Sequence, residues 1–334
     1  MCRAGDSSRA MLLVALVAML AGCTPTGTDH RAVFAVFGTE VELQLRRTGR
    51  DQAQAAFTKV GAILQDLHRE LHPWEPGELM SLNRALAAGQ AHETTPNIVA
   101  LITASQSLEQ ATEGAFNPAI GALVNLWGFH TSRYPITDPP PTPHQLDHLL
   151  EPSPSTLELS VKGLEVRSAN PAVRLDFSGI AKGLAVLRVC EVLAELEIGA
   201  AMVNAGGDVL VCSVGDRPWR VAIRGAEGGV LETLEIARPL AVFTSGNYYR
   251  FAEFDGERYA HILDPATGRP VDNLMQATVV DPDPMVADAG ATALVVAGPA
   301  RWRRLAGALE IEKGIAIGPN GSVSRLDKAN ASGR

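Results

Sequence analysis

The 334-residue sequence predicts an α/β chain. Three observations carry this. Apolar residues recur at helical spacing over residues 51–71 and 95–112; a strand pattern at 173–175 runs through a glycine turn into a long helical pattern at 180–196; and short strand patterns crowd the second half. With 46% hydrophobic and 20% charged residues, the composition is that of a packed globular chain and excludes collagenous, low-complexity and largely disordered classes. The formal charge is −8 and the Lys and Arg residues are scattered, so nothing offers the basic footprint that nucleic acid requires. Four cysteines without CxxC spacing support neither a zinc site nor a dense disulfide framework.

The chain opens with Arg3 and Arg9, an apolar run from Met11 to Leu20, and then Leu20-Ala21-Gly22-Cys23. This order is that of a signal peptide ending in a lipobox, with Cys23 as the lipidated residue; cleavage at a small residue without lipidation is the plainer alternative. The expected organisation is a signal peptide at 1–22, a lipidated tether at 23–32, one catalytic unit at 33–326 and a tail at 327–334. Export would place Cys190 and Cys212 in an oxidising compartment, where their spacing leaves pairing open. The expected location is the bacterial cell envelope, anchored by lipid at the periplasmic side of the inner membrane.

Within the unit, residues 33–45 carry strand-like residues around Phe37-Gly38-Thr39-Glu40. The helical pattern at 51–71 stops at Pro73 and Pro76, resumes over 79–86, and returns at 95–112 after Thr94-Thr95-Pro96-Asn97. Residues 134–154 are Pro-rich and read as loop. Residues 157–161 and 164–166 flank Lys162-Gly163 as a hairpin. Strand patterns follow at 201–203, 209–214, 219–224, 231–236, 240–244 and 248–254, and an Ala/Leu/Val helix at 288–297.

Several clusters bear chemistry. At Asp176-Phe177-Ser178-Gly179-Ile180-Ala181-Lys182-Gly183, free N–H groups at a helix start and the Lys182 ammonium could converge on a diphosphate; equally, Ser178 could simply cap the helix and Gly179 serve the turn. Asp288 and Thr292, four apart, share a helix face and could hold one hard cation such as magnesium, or act as cap and back-bonded hydroxyl. His261 is a candidate general base ahead of the turn Asp264-Pro265-Ala266-Thr267-Gly268, with Asp264 as its orienting partner; a satisfied structural histidine is the alternative. Thr244-Ser245-Gly246 could be a polar binding turn, and Trp74 a stacking surface for a planar ring.

Taken in order, Phe37-Gly38-Thr39, Pro76-Gly77-Glu78-Leu79-Met80-Ser81-Leu82-Asn83, the stretch from Phe116-Asn117-Pro118 to Leu126-Trp127-Gly128-Phe129, Ser178 to Gly183, Asn204-Ala205-Gly206-Gly207-Asp208, Thr244-Ser245-Gly246, His261 to Pro270 and Ala287-Asp288 resemble the ApbE family of FAD:protein FMN transferases. The resemblance implies an ApbE-like, T-fold-related architecture: a mainly antiparallel sheet packed by helices, a smaller α/β subdomain, and an FAD cleft between them. It implies Mg²⁺ held at Gly179, Ala291, Asp288 and Thr292, and FAD as substrate lined by Phe37, Ala115, Phe116, Asn117, Asp176 and Lys182, with Ser245 and Thr267 in the neighbouring turns. It also implies transfer at His261, and a target flavoprotein offering a Thr or Ser hydroxyl, with AMP released. Water in place of that hydroxyl would make the chain an FAD diphosphatase, and loss of turnover an FAD-binding lipoprotein. Two departures stand out: Asn117 replaces the aspartate common in this family, and Ser178 replaces a glycine.

Overall fold

The computed structural model describes residues 27–226, 228–247 and 250–328. It opens with the hairpin β1 (Thr28–Val36) and β2 (Thr39–Thr48), joined by Phe37 (φ 54°) and Gly38 (φ 66°), the left-handed pair that a two-residue hairpin turn requires. The first half continues with α1 (Arg50–Glu70), α2 (Glu78–Ala87), β3 (His92–Glu93), α3 (Pro96–Ala111), α4 (Gly121–Leu126), α5 (Pro143–Leu150), β4 (Leu159–Lys162) and β5 (Glu165–Ser168). The second half runs α6 (Ala181–Glu195), β6 (Ala200–Ala205), β7 (Asp208–Val214), β8 (Trp219–Arg224), β9 (Val230–Ile236), β10 (Leu240–Gly246), β11 (Phe251–Phe254) and β12 (Glu257–Ala260). It closes with β13 (Gln276–Asp281), α7 (Pro284–Ala308), β14 (Lys313–Ile317) and β15 (Val323–Asp327).

An eight-stranded sheet in the order β1-β2-β6-β7-β10-β13-β14-β15 forms the frame, and every neighbouring pair in it is antiparallel. The two-residue period of a strand sorts its side chains onto two faces. Ala201, Val203, Ala241, Phe243, Ala277 and Val279 enter the main core with α1, α3, α6 and α7, whereas Met202, Val211, Leu240, Val242 and Val280 pack under the β8–β9 hairpin with Trp219 and Ile236. A third, smaller core joins α4, α5 and the β11–β12 ribbon through Leu123, Trp127, Phe129, Leu146 and Ala252. This is the smaller α/β subdomain. Asp176 N–H donates to the Pro118 carbonyl at 2.8 Å where it meets the main body.

Local chemistry corrects several expectations. Residues 28–31 belong to β1 rather than to a tether; they are polar because β1 is a sheet edge, and β2 supplies its pairing. The Pro-rich segment 134–154 contains α5: Pro143 occupies the first turn, where its missing N–H costs nothing, and Thr142 and Gln145 form a capping box. Residues 173–175 make a single bridge, Arg174 to Ile120, and no strand. The last strand extends through Asp327, so the tail begins later than 327; residues 329–334 and Cys23 lie outside the described residues. Of the strand expected over 248–254, residues 248 and 249 lie outside the described residues, and β11 covers Phe251–Phe254. The helix expected over 288–297 runs on both sides, with a kink at Gly298 (φ 67°) ahead of Pro299.

Cys190 on α6 and Cys212 on β7 are disulfide-bonded, their Cα atoms 5.2 Å apart, tying helix to sheet. The bond closes a loop with a sequence separation of 22. Cys212→Ser is expected to lower unfolding free energy by about 3 kcal/mol in urea titrations, and a reducing agent should have the same effect on the parent but none on the variant.

Candidate active site

The site is built at the start of α6. Asp176 Oδ1 accepts the Ser178 amide (2.8 Å) and the Ser178 hydroxyl (2.5 Å), so Ser178 stabilises the turn and does not cap the helix, which removes the capping alternative. The cap comes from another helix: Gly183 N–H donates to Asp288 Oδ2 at 2.9 Å, satisfying one of the four N–H groups a helix start leaves open. A Cβ on Gly183 would stand 2.5 Å from the Pro284 carbonyl oxygen, so only glycine lets α6 and α7 approach this closely. Gly179 faces the same way: its Cβ position is 3.3 Å from the Phe116 ring and 3.7 Å from Thr292 Oγ1. Thr292 Oγ1 lies 3.0 Å from Ser245 Oγ, and Ala291 beside it is fully buried.

Between these groups sit Lys182, Asp208 and Asp288. Lys182 is ion-paired with Asp208 and its Nζ is 3.6 Å from Asp288 Oδ1, while Asp208 Oδ1 accepts the Thr244 amide at 2.8 Å. Two buried carboxylates therefore share one ammonium. Burial pushes the Asp288 carboxyl up to about 6; Lys182 pulls the other way and the Asp208 charge adds to the rise. Lys182 itself is held above its ordinary value, because the attraction of Asp208 and Asp288 exceeds the cost of burial. Among the described residues no group of three or more His, Cys, Asp or Glu side chains is gathered around one point as for a metal.

A ribbon of rings lies on the other side of Asp176. Phe37 meets His68 edge-on at 5.4 Å, His68 meets His72 at 5.2 Å, His72 meets Trp74 at 4.4 Å, and Trp74 stacks on His130 at 5.4 Å with 24° between planes. His130 Nε2 is 2.9 Å from Asp176 Oδ2. Burial alone would raise the Asp176 carboxyl, but His130 and Ser178 together hold it below its ordinary value. Phe116 and Ala115 are buried, with the Phe116 ring against Gly179. Asn117, expected to line the ligand, is committed to the backbone: Nδ2 donates to the Pro154 carbonyl at 2.9 Å and Oδ1 accepts the Ala119 amide at 2.8 Å. An aspartate there could not make the first bond.

His261 follows β12 and borders Phe129. Its Nδ1 is 3.1 Å from the Arg250 carbonyl, which can only accept, so Nδ1 carries the proton and Nε2 is left as a base. Burial, then the Arg250 and Lys182 charges, push the imidazole down to about 4. Asp264 does not orient it. Asp264 Oδ1 instead accepts the Ala266 amide at 2.9 Å in its own turn, where Thr267 Oγ1 accepts the Arg269 amide at 3.4 Å. Because the folded value lies below the unfolded one near 6.5, the neutral ring stabilises the fold above pH 6.5, and that stability is lost as pH falls towards 4. In an NMR titration the His261 ring signals are expected to stay flat from pH 6 to 8 with a midpoint near 4; a midpoint near 6.5 would refute the burial account.

Sequence reasoning missed His130, Arg250 and the partner role of Asp208. His130 directly follows Trp127-Gly128-Phe129, and Asp208 closes the Asn204-to-Asp208 turn, so neither has a chemical pattern of its own along the chain.

A family model described as "ApbE family" matches residues 37–315, which takes in the sheet from β2 to β13, the α6 turn and the Asp288 face of α7. The chain belongs to the ApbE family. It is 39% identical over 306 residues to an FAD:protein FMN transferase of Rhodobacter capsulatus, covering 90% of this chain but only 57% of that protein. It is 29% identical over 307 residues to the FAD:protein FMN transferase of Vibrio cholerae, covering 90% of this chain and 91% of that one. Among solved structures, the flavin transferase ApbE of Vibrio cholerae superposes with a TM-score of 0.78 at 27% identity over 91% of this chain and 98% of that chain. The apo flavinyl transferase ApbE of Pseudomonas stutzeri gives 0.79 at 26% identity, covering 91% and 96%. The mixed α/β, mainly antiparallel architecture is thus that of the ApbE fold.

Proposed function

We propose that this chain transfers FMN from FAD to a Thr or Ser hydroxyl of a target flavoprotein, releasing AMP. The observation that carries this reading is the meeting of Gly179, Lys182, Asp288 and Thr292 at one point, where α6 presents its N-terminal end to the Asp288 face of α7. The excess carboxylate charge there, with the Thr292 hydroxyl on the same helix face as Asp288 and the Ser245 hydroxyl 3.0 Å from it, suits a hard cation that keeps some ligand positions for water and substrate phosphate. Asp288, Thr292 and the Gly179 and Ala291 carbonyls would hold Mg²⁺, which when bound supplies charge neutralisation for the phosphoryl oxygens.

The remaining work falls to the chain itself. Lys182 and the α6 N-terminus favour the diphosphate, and Arg250 adds positive charge near His261. The ring ribbon from Phe37 to Trp74 offers flat surfaces for the flavin, and Asp176, fixed by His130 and Ser178, an acceptor beside it. The neutral His261, with Nε2 unprotonated, takes the proton of the incoming hydroxyl as its oxygen attacks the FMN-side phosphorus and AMP departs in line. Asp264 and Thr267 shape the adjoining turn.

We further assign the chain to the periplasmic side of the cell envelope, anchored through a lipidated Cys23. The Cys190–Cys212 disulfide supports an oxidising compartment. The test is to incubate the protein with FAD, Mg²⁺ and a cell-envelope extract. A fluorescent covalent band supports the transferase, free FMN without labelling makes the protein a diphosphatase, and intact FAD refutes both.

A further inference from the structure

We propose that the outer edge of β12 is the docking edge for the target protein, which adds the segment carrying its acceptor hydroxyl as an extended strand. The proposal rests on the transferase reading and deepens it. The pairing phase of the β11–β12 ribbon carries it. Ile136 N–H donates to the Phe251 carbonyl at 3.4 Å and Glu253 N–H to the Ile136 carbonyl at 2.8 Å, so Phe251 and Glu253 direct their backbone groups away from β12. Backbone groups alternate edges along an antiparallel strand, so Ala252 and Phe254 face β12, where they oppose Tyr259 and Glu257. The His261 amide, donating to the Arg250 carbonyl at 3.2 Å, continues the same phase from the other strand.

Both strands therefore agree that Arg258 and Ala260 turn their N–H and C=O groups off the outer edge. Among the described strands, β12 pairs with β11 alone. The opposite edge of the same ribbon already accepts backbone pairing from outside it, through the single parallel bridge of Ile136 to Ala252.

What marks the outer edge for the acceptor is its address. Tyr259 and His261, two apart, share one ribbon face, with Tyr259 against Trp127 at 5.6 Å and His261 against Phe129 at 6.5 Å. A residue of an added strand opposite His261 would point to that face, with its Cβ about 5 Å from that of His261. A Thr or Ser there stands beside the unprotonated Nε2. Ladder bonds recognise any extended backbone, and the side chain opposite His261 selects the hydroxyl.

The test is Ala260→Pro. Its N–H serves no internal bond, so the ribbon tolerates proline, whereas the ring blocks an incoming strand. The KM for the purified acceptor protein is expected to rise about tenfold, as loss of a pair of ladder bonds dictates, with FAD affinity unchanged in a fluorescence titration. A second measurement leaves the enzyme untouched. Peptides synthesised on the sequence around the labelled hydroxyl and N-methylated at single positions should lose transfer with a period of two residues. An unchanged KM in the variant together with no period in the peptides overturns the docking edge while leaving the transferase intact, as does an Ala260→Pro effect that acts only through self-association of this chain. A parent protein that labels no hydroxyl overturns both.

Discussion

Asp288→Asn is expected to slow FAD cleavage by about 10³-fold or more at saturating Mg²⁺, a loss of about 4 kcal/mol of transition-state stabilisation. The substitution keeps the shape of the side chain and leaves an amide oxygen to accept the Gly183 N–H, so the junction of α6 and α7 survives. What it removes is one of the two negative charges that share the Lys182 ammonium, the one that in the proposed function would hold the cation. Stability should move the other way. The Asp288 carboxyl is raised to about 6, above its ordinary value, so in the metal-free fold its neutral form is preferred and stability is lost as pH rises through that value. The asparagine variant escapes this cost, and without Mg²⁺ its melting temperature at pH 8 is expected to equal or exceed that of the parent. A variant that cleaves FAD at the parental rate would remove Asp288 from the mechanism. One that is inactive because it unfolds would show a lower melting temperature instead.

Lys182→Met is expected to cost about 3–5 kcal/mol of unfolding free energy at pH 8, because it strands Asp208 and Asp288 in a buried site without their shared ammonium. Methionine fills much the same space, so the loss is electrostatic and depends on pH. As pH falls towards 5, Asp288 takes up its proton, one of the two charges disappears, and the deficit shrinks. Urea titrations of parent and variant at pH 5 and pH 8 measure this difference of differences. A deficit independent of pH would mean that Lys182 acts through packing alone.

The main helices were legible because each announces itself twice, by period and by punctuation. In α1, Val60, Leu64 and Leu67 recur at helical spacing and face the core, although Ala55, read with them, is exposed, and α3 opens on the Thr95 cap with Pro96 behind it. The Pro-rich stretch hid α5, because a proline that starts a helix looks the same in sequence as one that ends it. The sheet was harder to read. β13 is buried along its whole length, so its residues show no alternation and carry no mark of which face they serve.

At the site, sequence alone marked the turn at Asp176 to Gly183 and the Asp288/Thr292 face as separate patterns, each with a plain alternative, and only the family resemblance joined them. The tight Asp264 to Gly268 turn was written locally, and Asp264 Oδ1 accepts the Ala266 amide within that turn instead of a bond from His261. What the sequence by itself determined was what near neighbours along the chain set: helix faces, the local caps at Thr95 and Thr142, turns and the left-handed pair at Phe37 and Gly38. Tertiary structure alone decided which distant groups share a charge, an edge or a ring face: Asp288 on the Gly183 amide, His130 between Trp74 and Asp176, and His261 neutralised by burial beside Arg250. The reason is physical. Periodicity and turn chemistry act over one or two turns of chain, whereas burial and Coulomb forces depend on distance in space, which the packing of α6 and α7 on the sheet sets.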